Sequence, residues 1–309
     1  MKDVSSVVLL KRCDRYDRSM IIPLVDIMIA SLKPDMDFHG RVVMLNPNLI
    51  SASASSIGCT HGEFVRSVAS CFLDRGARVR LGDSPAFGSA GAVCKKMGID
   101  RSLRAMNVEL VEFATPMIKI LECGVKVTVA QEALECDLFV GLPKVKAHNQ
   151  MYMSLALKNI FGILKGTKKA RLHMSHGRSH RHFAQIIIDL LPLLPEQLHL
   201  ADGITAMHKT GPLHGEPFNL NCVAGAGNPV ALDTALLDLL ELDCRNSPLW
   251  QIVAERKMIG WRASELIFPC LDPRDFAGLG FIAPEELNPV RFNPLRYLRG
   301  MVKRMFAGG

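Results

Sequence analysis

The sequence predicts an α/β protein built on a mainly parallel sheet that is covered by helices. Two observations predict this class. Short apolar segments alternate with amphipathic segments along most of the first 242 residues, and the most apolar of them, residues 136–142, has Asp137 as its single charged residue. Continuous apolar strands are typical of parallel sheets buried on both faces, and the intervening helices supply the covering layers.

The predicted elements follow in order along the chain. Strands are predicted at residues 6–10, 41–45, 77–81, 108–113, 125–129, 136–142, 198–201 and 220–225, and helices at residues 64–74, 91–97, 182–191 and 231–240. The last helix has the clearest start, because Asn228 supplies a polar cap and Pro229 occupies the first helical position.

Beyond residue 242 frequent prolines interrupt the pattern. Residues 1–242 are therefore predicted to form the core, and residues 243–309 a proline-rich extension that wraps it. The end of this extension, residues 294–306, has the spacing of a basic amphipathic helix. Such a helix could pack on its own protein, dock on a partner or lie on an anionic membrane surface.

Positive charge is concentrated in one segment of the chain. The whole sequence has 37 Lys and Arg against 30 Asp and Glu, but residues 138–188 contain nine Lys or Arg, five His and no acidic residue. The rest of the chain has 28 Lys and Arg against 30 Asp and Glu. A local concentration of cations attracts anions, so the function is expected to reside here.

Several classes of protein are excluded by the composition. No apolar run reaches the ~20 residues of a membrane helix, and charges among residues 11–18 interrupt any signal-peptide core, so a cytoplasmic location is expected. The nine cysteines are scattered without a C-x-x-C pair, and we expect no intrinsic iron–sulfur cluster. No P-loop, dinucleotide fingerprint or nucleophile elbow is present. The sequence identifies no other cofactor and no oligomeric state.

Polar side chains follow four of the predicted strands. Asn46, Asp83 and Asp202 each come at or just after a strand end, and the segment from Lys144 to His148 follows the most apolar strand. Because the carboxyl ends of parallel strands form the binding crevice of an open sheet, we expect one shared site. Turn formation alone is the alternative for each cluster taken singly.

The basic motif suits an anionic ligand. Lys144 and Lys146 are two residues apart, so in an extended segment both project to one face, which His148 continues. Lys158 adds a further charge and Asn159 an amide that can donate and accept. The predicted substrate-binding residues are Lys144, Lys146, Lys158, Asn159, Asn46 and Asp83.

Proton transfer is assigned to histidines and one carboxylate. The predicted catalytic residues are His148, His173 and Asp202, the last of which lies in an Asp-Gly pair that could instead only form a turn. His173 begins a run of histidines that continues at positions 176, 180 and 182. Whether this run binds a metal is left open, since neighbouring arginines would repel a cation.

The same residues carry a resemblance. The stretches LPKVKAHNQMYMSLALKNIFGILKG, LADGITAMHKTGPLHGEP and AGAGNPVALDT resemble, in this order, the core of the family labelled domain of unknown function 362. The likeness extends from about residue 42 to residue 242 and includes the LNPN and GDSP segments. It implies a two-lobed α/β body, dividing near residue 140, with the basic motif in the cleft. Some members carry a ferredoxin-like cysteine segment, which this sequence lacks.

Three functions fit these observations. The first is an enzyme that acts on a small anionic metabolite, a carboxylate or a phosphate, although the sequence does not establish catalysis. The second is nucleic-acid binding, which is disfavoured because the acid-free segment offers few aromatic side chains for base stacking beyond Tyr152, Phe161 and Phe183. The third is a redox accessory protein that relies on a cluster in another chain, as the family's iron–sulfur members imply.

Overall fold

The computed structural model describes residues 4–51, 56–85 and 88–290. The predicted amphipathic helix at residues 294–306 lies outside the described residues. The strands are β1 Val8–Arg12, β2 Val42–Pro47, β3 Arg78–Asp83, β4 Glu109–Glu112, β5 Pro116–Ile120, β6 Lys126–Ala130, β7 Leu138–Leu142, β8 Lys144–His148, β9 Tyr152–Ser154, β10 Gln197–His208, β11 Glu216–Phe218 and β12 Cys222–Ala226.

The helices alternate with these strands. They are α1 Arg18–Leu32, α2 Gly62–Leu73, α3 Ala90–Lys96, α4 Asp100–Ala105, α5 Gln131–Leu134, α6 Ala156–Asn159, α7 Gly166–His176, α8 His180–Ile188, α9 Pro229–Leu239 and α10 Pro248–Glu255. Short 3₁₀ turns lie at Val4–Ser6, Ser56–Gly58, Ile160–Ile163, Leu191–Leu193, Cys244–Asn246, Ala263–Glu265 and Pro273–Phe276.

One large sheet organises the molecule. Its main strand order is β1-β12-β10-β7-β2-β3-β4, and the five strands from β10 to β4 are parallel. The strand β12 runs antiparallel to both of its neighbours, and β8, β9 and β11 extend the sheet beside β10. Strands β5 and β6 form a separate antiparallel pair. The predicted α/β class with a mainly parallel sheet is thus confirmed.

The central strand of the parallel part is the most apolar predicted strand. Every residue of β7 is buried, because the strand lies between β2 and β10 and is covered on both faces. On one face Leu138 and Val140 belong to a core that includes Phe64 and Phe72 of α2. On the other face Phe139 packs in a core with side chains of α8. This two-sided burial explains why the strand needs an uninterrupted apolar sequence.

The tail after residue 242 crosses the core. Ile267 pairs with the chain beside β1, donating from its backbone to Ser6 at 2.9 Å and accepting from Val8 at 3.0 Å. Further on, Asn288 donates from its backbone to the carbonyl of Asn149 at 2.6 Å. The described part of the tail therefore runs from one edge of the sheet to the loop that follows β8. The proposed division into a core and an extension, with lobes dividing near residue 140, stays a prediction.

Candidate functional site

A cavity of about 500 Å³ opens where the parallel strands end. The segments after β2 and β3 form one side, β8 and α6 form the floor, and α7 forms the opposite wall. Among the described residues that line this cavity, six are titratable: Lys146, His148, Lys158, Lys169, His173 and Asp83. The position agrees with the general location of ligand sites in open α/β sheets.

The predicted site residues divide into three groups. Lys146, His148, Lys158, Asn159, Asp83 and His173 line the cavity. Asn46 lies directly beneath it, since its amide Nδ2 approaches Asp83 and its oxygens accept from Asn159. Lys144 and Asp202, by contrast, lie outside the described lining and pair with each other. The structure therefore brings most of the motif together but gives these two residues a different environment.

Lys144 and Asp202 form a buried ion pair between adjacent strands. They are register partners of β8 and β10, and Lys144 Nζ lies 2.9 Å from Asp202 Oδ2. The lysine side chain is 2% exposed and the aspartate side chain 0%. The Tyr16 hydroxyl donates to Asp202 Oδ1 at 2.8 Å and accepts from Lys144 at 2.7 Å. The backbone N–H of His61 donates to Asp202 Oδ2 at 2.9 Å, so both carboxylate oxygens are engaged.

The Asp-Gly pair at position 202 is part of a strand and does not form a turn. Strand β10 continues through it to His208, whereas the sequence predicted that the strand ends at residue 201. Gly203 has a packing role instead: a Cβ there would lie 2.9 Å from the Cys222 carbonyl on β12. Asp202 is held inside the sheet, which is why it does not reach the cavity.

Tyr16 and His61 were not predicted as site residues. Their rings stack at 3.6 Å between centroids, and burial together with the negative charge of Asp202 raises the pKa of Tyr16. Burial lowers the pKa of His61. Both residues come from segments far from β8 in the chain, and no local motif marks them.

A chain of amides forms the base of the cavity. Lys146 donates to Asn48 Oδ1 at 2.6 Å and to the Gly58 carbonyl at 2.6 Å. Asn48 donates in turn to Asn159 Oδ1 at 2.9 Å, and Asn159 donates to the Asn46 carbonyl at 2.9 Å. Asn46 donates to the Gly82 carbonyl at 2.8 Å. This network fixes the ends of β2, β3 and β8 relative to α6.

Asp83 is held close to a glycine of the basic segment. Its Oδ2 accepts the backbone N–H of Leu49 at 3.1 Å, and a Cβ on Gly162 would lie well under 3.0 Å from its Oδ1. The structure shows that this glycine makes room for a carboxylate of the protein itself.

We expect Gly162→Ala to reduce the free energy of unfolding by about 1–3 kcal/mol, because the added methyl group must displace the Asp83 carboxylate. Chemical denaturation measures the change. Gly227→Ala is the matched control, since the nearest described heavy atom to a Cβ there is 4.0 Å away. Equal stability of the two variants would show that Asp83 moves aside without cost.

The cavity places several cations close together. Burial, reinforced by neighbouring lysines, lowers the pKa of Lys146 and of Lys158 to about 7, and burial lowers that of Lys169 to about 8. Burial also raises the pKa of Asp83 to about 6. None of the three ammonium groups lies within 4.0 Å of a carboxylate oxygen in the described part of the chain. The cations therefore outnumber the anions that could neutralise them.

The two lining histidines have opposite tautomers. His148 Nδ1 accepts backbone N–H groups of Gln150 at 3.1 Å and Met151 at 3.3 Å, so the neutral ring carries its proton on Nε2. His173 Nδ1 lies 3.0 Å from the Val290 carbonyl and must donate to it, which leaves Nε2 with a lone pair. Burial lowers the pKa of His148 well below its usual value and that of His173 to about 4. Both rings are therefore neutral at pH 7.

The remaining histidines of the run do not join the cavity. His176 Nδ1 lies 3.1 Å from His182 Nε2, and His180 contacts the Asn288 carbonyl at 2.9 Å. Over residues 4–51, 56–85 and 88–290, no group of three or more His, Cys, Asp or Glu is arranged to hold a metal ion.

Lys169, Asn48 and Ser84 also line the cavity but were not among the residues predicted to bind a substrate. Lys169 donates to the Ser84 carbonyl. Lys169 lies within the acid-free segment beside the exposed Lys168. The sequence signal that separates the two lysines is spacing: Gly166, Lys169 and His173 are three and four residues apart, which places them on one face of a helix.

Comparison with known proteins gives a family and one full-length relative. The family model described as "Domain of unknown function (DUF362)" matches residues 43–238. The Thylakoid-associated protein sll1697 of Synechocystis sp. (strain PCC 6803) is 31% identical over 307 residues, which cover 98% of this chain and 95% of that protein.

Two solved structures are more distant. The lactate racemase apoprotein from Thermoanaerobacterium thermosaccharolyticum has a TM-score of 0.49 and 12% identity, over 77% of this chain and 58% of its own. A protein from Thermotoga maritima has a TM-score of 0.44 and 12% identity, over 67% of this chain and 56% of its own. The chain thus spans somewhat more than half the length of each.

In the described residues, none of the helices has both the length and the apolar character needed to cross a membrane. The cytoplasmic location and the expected lack of an intrinsic cluster stay predictions.

Proposed function

The chain belongs to the DUF362 family, and we propose that it is an enzyme that binds a small anionic metabolite, a carboxylate or a phosphate, in the cavity between β8 and α7. One observation carries the proposal: three lysines and two histidines line the cavity together with a single acidic side chain, Asp83, among the described residues.

The charge balance favours an anion. Burial removes the three lysines from water and lowers all three pKa values, and neighbouring lysines lower those of Lys146 and Lys158 further. An anion bound among them offsets both the lost solvation and the repulsion. Asp83 supplies at most one negative charge, so a ligand with one or two negative charges suits the site.

The start of α7 adds to the attraction for an anion. Gly166 is the first residue of this helix and lines the cavity, and no side chain caps the helix at Lys165. The backbone N–H groups of a helix N-terminus carry partial positive charge and suit phosphate or carboxylate oxygens. Lys169 and His173 project from the same face one and two turns further along.

The histidine tautomers supply a hydrogen-bond donor and a proton acceptor. His148 offers an Nε2–H group and His173 an Nε2 lone pair, as their backbone contacts require. In such a pair His173 can take a proton from one atom of a ligand while His148 donates a hydrogen bond that stabilises negative charge on another. We assign Asp202, which the sequence placed with these residues, a positioning role, since it holds Lys144 and the strand β8.

The nucleic-acid alternative loses support in this geometry. Tyr152, Phe161 and Phe183 are 5%, 5% and 0% exposed, so none of them presents a ring for base stacking. The redox alternative has no specific observation in its favour.

The test is a thermal-shift screen of carboxylates and phosphates against the purified protein, followed by calorimetry on each hit. A ligand present at a hundred times its dissociation constant adds about 2.7 kcal/mol of stability. Neutral analogues of the same size are the control. If no anion stabilises the protein more than its neutral analogue does, the proposal is wrong.

Binding of the anion is expected to take up protons from solution at pH 8, because it favours the charged form of lysines whose pKa values lie at about 7, 7 and 8. Affinity should therefore fall as the pH rises from 7 to 9. Calorimetry in two buffers with different ionisation enthalpies measures the uptake, for which we expect about one proton or more.

The stability of the unliganded protein should show the opposite trend. The pKa of each lysine lies below its value of 10.5 in the unfolded chain, so the unfolded chain binds more protons between about pH 7 and 10.5. The contribution of the lysines to stability is present above pH 10.5 and is lost as the pH falls through 7. The test is made between pH 7 and about 8.5, below the range in which buried cysteines with raised pKa values oppose the trend. A free energy of unfolding that does not rise there would contradict the assignment.

A further inference from the structure

Lys158 differs from the other two lysines of the cavity in what its ammonium group contacts. Lys146 donates to Asn48 and Gly58, and Lys169 donates to the Ser84 carbonyl. Within the described residues, Lys158 Nζ makes no hydrogen bond and no ion pair. It lies over the ring of Phe161, with Nζ 4.7 Å from the centroid. Lys146 and Lys169 are thus engaged as hydrogen-bond donors, whereas Lys158 Nζ has no hydrogen-bond partner among the described residues.

The helix that carries Lys158 is capped by a buried carboxyl group. Asp233, on α9, accepts the N–H of Ala156 at 2.7 Å and also approaches that of Leu157, so its carboxyl group caps the start of α6. The partners of this buried carboxylate are therefore backbone groups of the helix that carries Lys158, whose side chain lines the cavity.

The surroundings favour the neutral amine. Burial and the nearby Lys169 lower the pKa of Lys158 to about 7, which favours the uncharged amine at neutral pH far more than in a lysine exposed to water. A lysine in an apolar pocket beside a second cation is a recognised form of activated amine nucleophile. Lys169, Lys146 and the N-terminus of α7 remain to bind an anionic group of the same ligand.

We propose that Lys158 forms a Schiff base with its substrate, and that the substrate is a carbonyl compound that carries a carboxylate or a phosphate. This inference rests on the proposed function and goes further by naming the reacting atom and the class of ligand. Its basis is the free Nζ of Lys158 beside two lysines whose donors are engaged.

The step balances without an oxidant or a reductant. The lone pair of the neutral amine forms a C–N bond with the carbonyl carbon, and the π electrons of the carbonyl move to oxygen. His148 Nε2–H donates a hydrogen bond to that oxygen and stabilises its developing charge, while His173 Nε2 takes one proton from the new ammonium and passes it to the oxygen, which gives the neutral carbinolamine. The nitrogen lone pair then expels the hydroxyl group, which receives the remaining N–H proton through His173 and leaves as water. The water thus carries both protons of the amine, an imine remains and both histidines are neutral again.

The experiment is reductive trapping. The purified protein is incubated with pyruvate or with glycolaldehyde phosphate in the presence of cyanoborohydride, and intact mass and peptide mapping locate the adduct. We expect one adduct per chain on Lys158 with at least one of the two probes, at concentrations where the exposed Lys168 stays unmodified. The probe that reacts distinguishes carboxylate from phosphate recognition.

Lys158→Arg keeps the positive charge and should lose the adduct, whereas Lys168→Arg should keep it. Labelling spread equally over Lys158 and Lys168, or no labelling of Lys158 by either probe, would overturn the inference. Stabilisation by inorganic phosphate and succinate is measured in parallel. If these anions stabilise the protein but no adduct forms, the Schiff base is wrong and the anion site stands. If neither is observed, both are wrong.

Discussion

Replacing Lys144 with methionine is expected to reduce the free energy of unfolding by about 3–5 kcal/mol, because it leaves the Asp202 carboxylate charged and buried without its cation. The aspartate side chain is 0% exposed, and the Tyr16 hydroxyl and the His61 N–H compensate the charge only in part. Urea denaturation monitored by circular dichroism measures the loss.

Two controls separate the buried pair from charge in general. Arg41→Ala breaks the ion pair between Arg41 and Asp137, whose side chains are 55% and 37% exposed. This change should lower the free energy of unfolding by only about 0–1 kcal/mol. The double variant Lys144→Met with Asp202→Asn removes both charges and should cost less than the two single variants added together. A Lys144→Met variant as stable as Arg41→Ala would show that the pair contributes little.

The second large effect is on ligand binding. Lys169→Ala should weaken binding of an anion found in the screen by about ten- to a hundredfold, since it removes a charge-assisted hydrogen bond worth about 1.5–3 kcal/mol. Lys168→Ala is the matched control, because Lys168 is the preceding residue of α7 and is exposed. Isothermal calorimetry at constant salt measures both. A similar loss in the two variants would indicate general attraction by the basic segment and no specific contact.

The fold was predictable wherever burial dictates the sequence. Strand β7 must be apolar throughout because both of its faces are covered. The start of α9 was predictable because Asn228 caps the helix and Pro229 occupies its first position. Helix α1 was not predicted: it is apolar around much of its circumference and contains Pro23, so it lacks the periodic contrast that marks an amphipathic helix.

The site was predictable in its location and less so in its details. The acid-free segment and the ends of the parallel strands identified Lys146, His148, Lys158 and Asp83 as neighbours, and all of them line the cavity. Lys144 could not be separated from Lys146, because two lysines on one face of a strand are equivalent until their partners are known. Its partner Asp202 is distant in the chain, and the pairing depends on the register of β8 with β10.

The C-terminal tail contributes both to the lining of the cavity and to the tautomer of one of its histidines. Val290 lines the cavity, and its carbonyl is the acceptor that keeps the proton of His173 on Nδ1. Asn288 is tied to the loop after β8 and to His180. Displacing residues 288–290 would therefore remove part of the cavity lining and also the acceptor that holds the proton of His173 on Nδ1. The tautomer of a cavity histidine thus depends on a segment that lies outside the sheet, more than a hundred residues further along the chain.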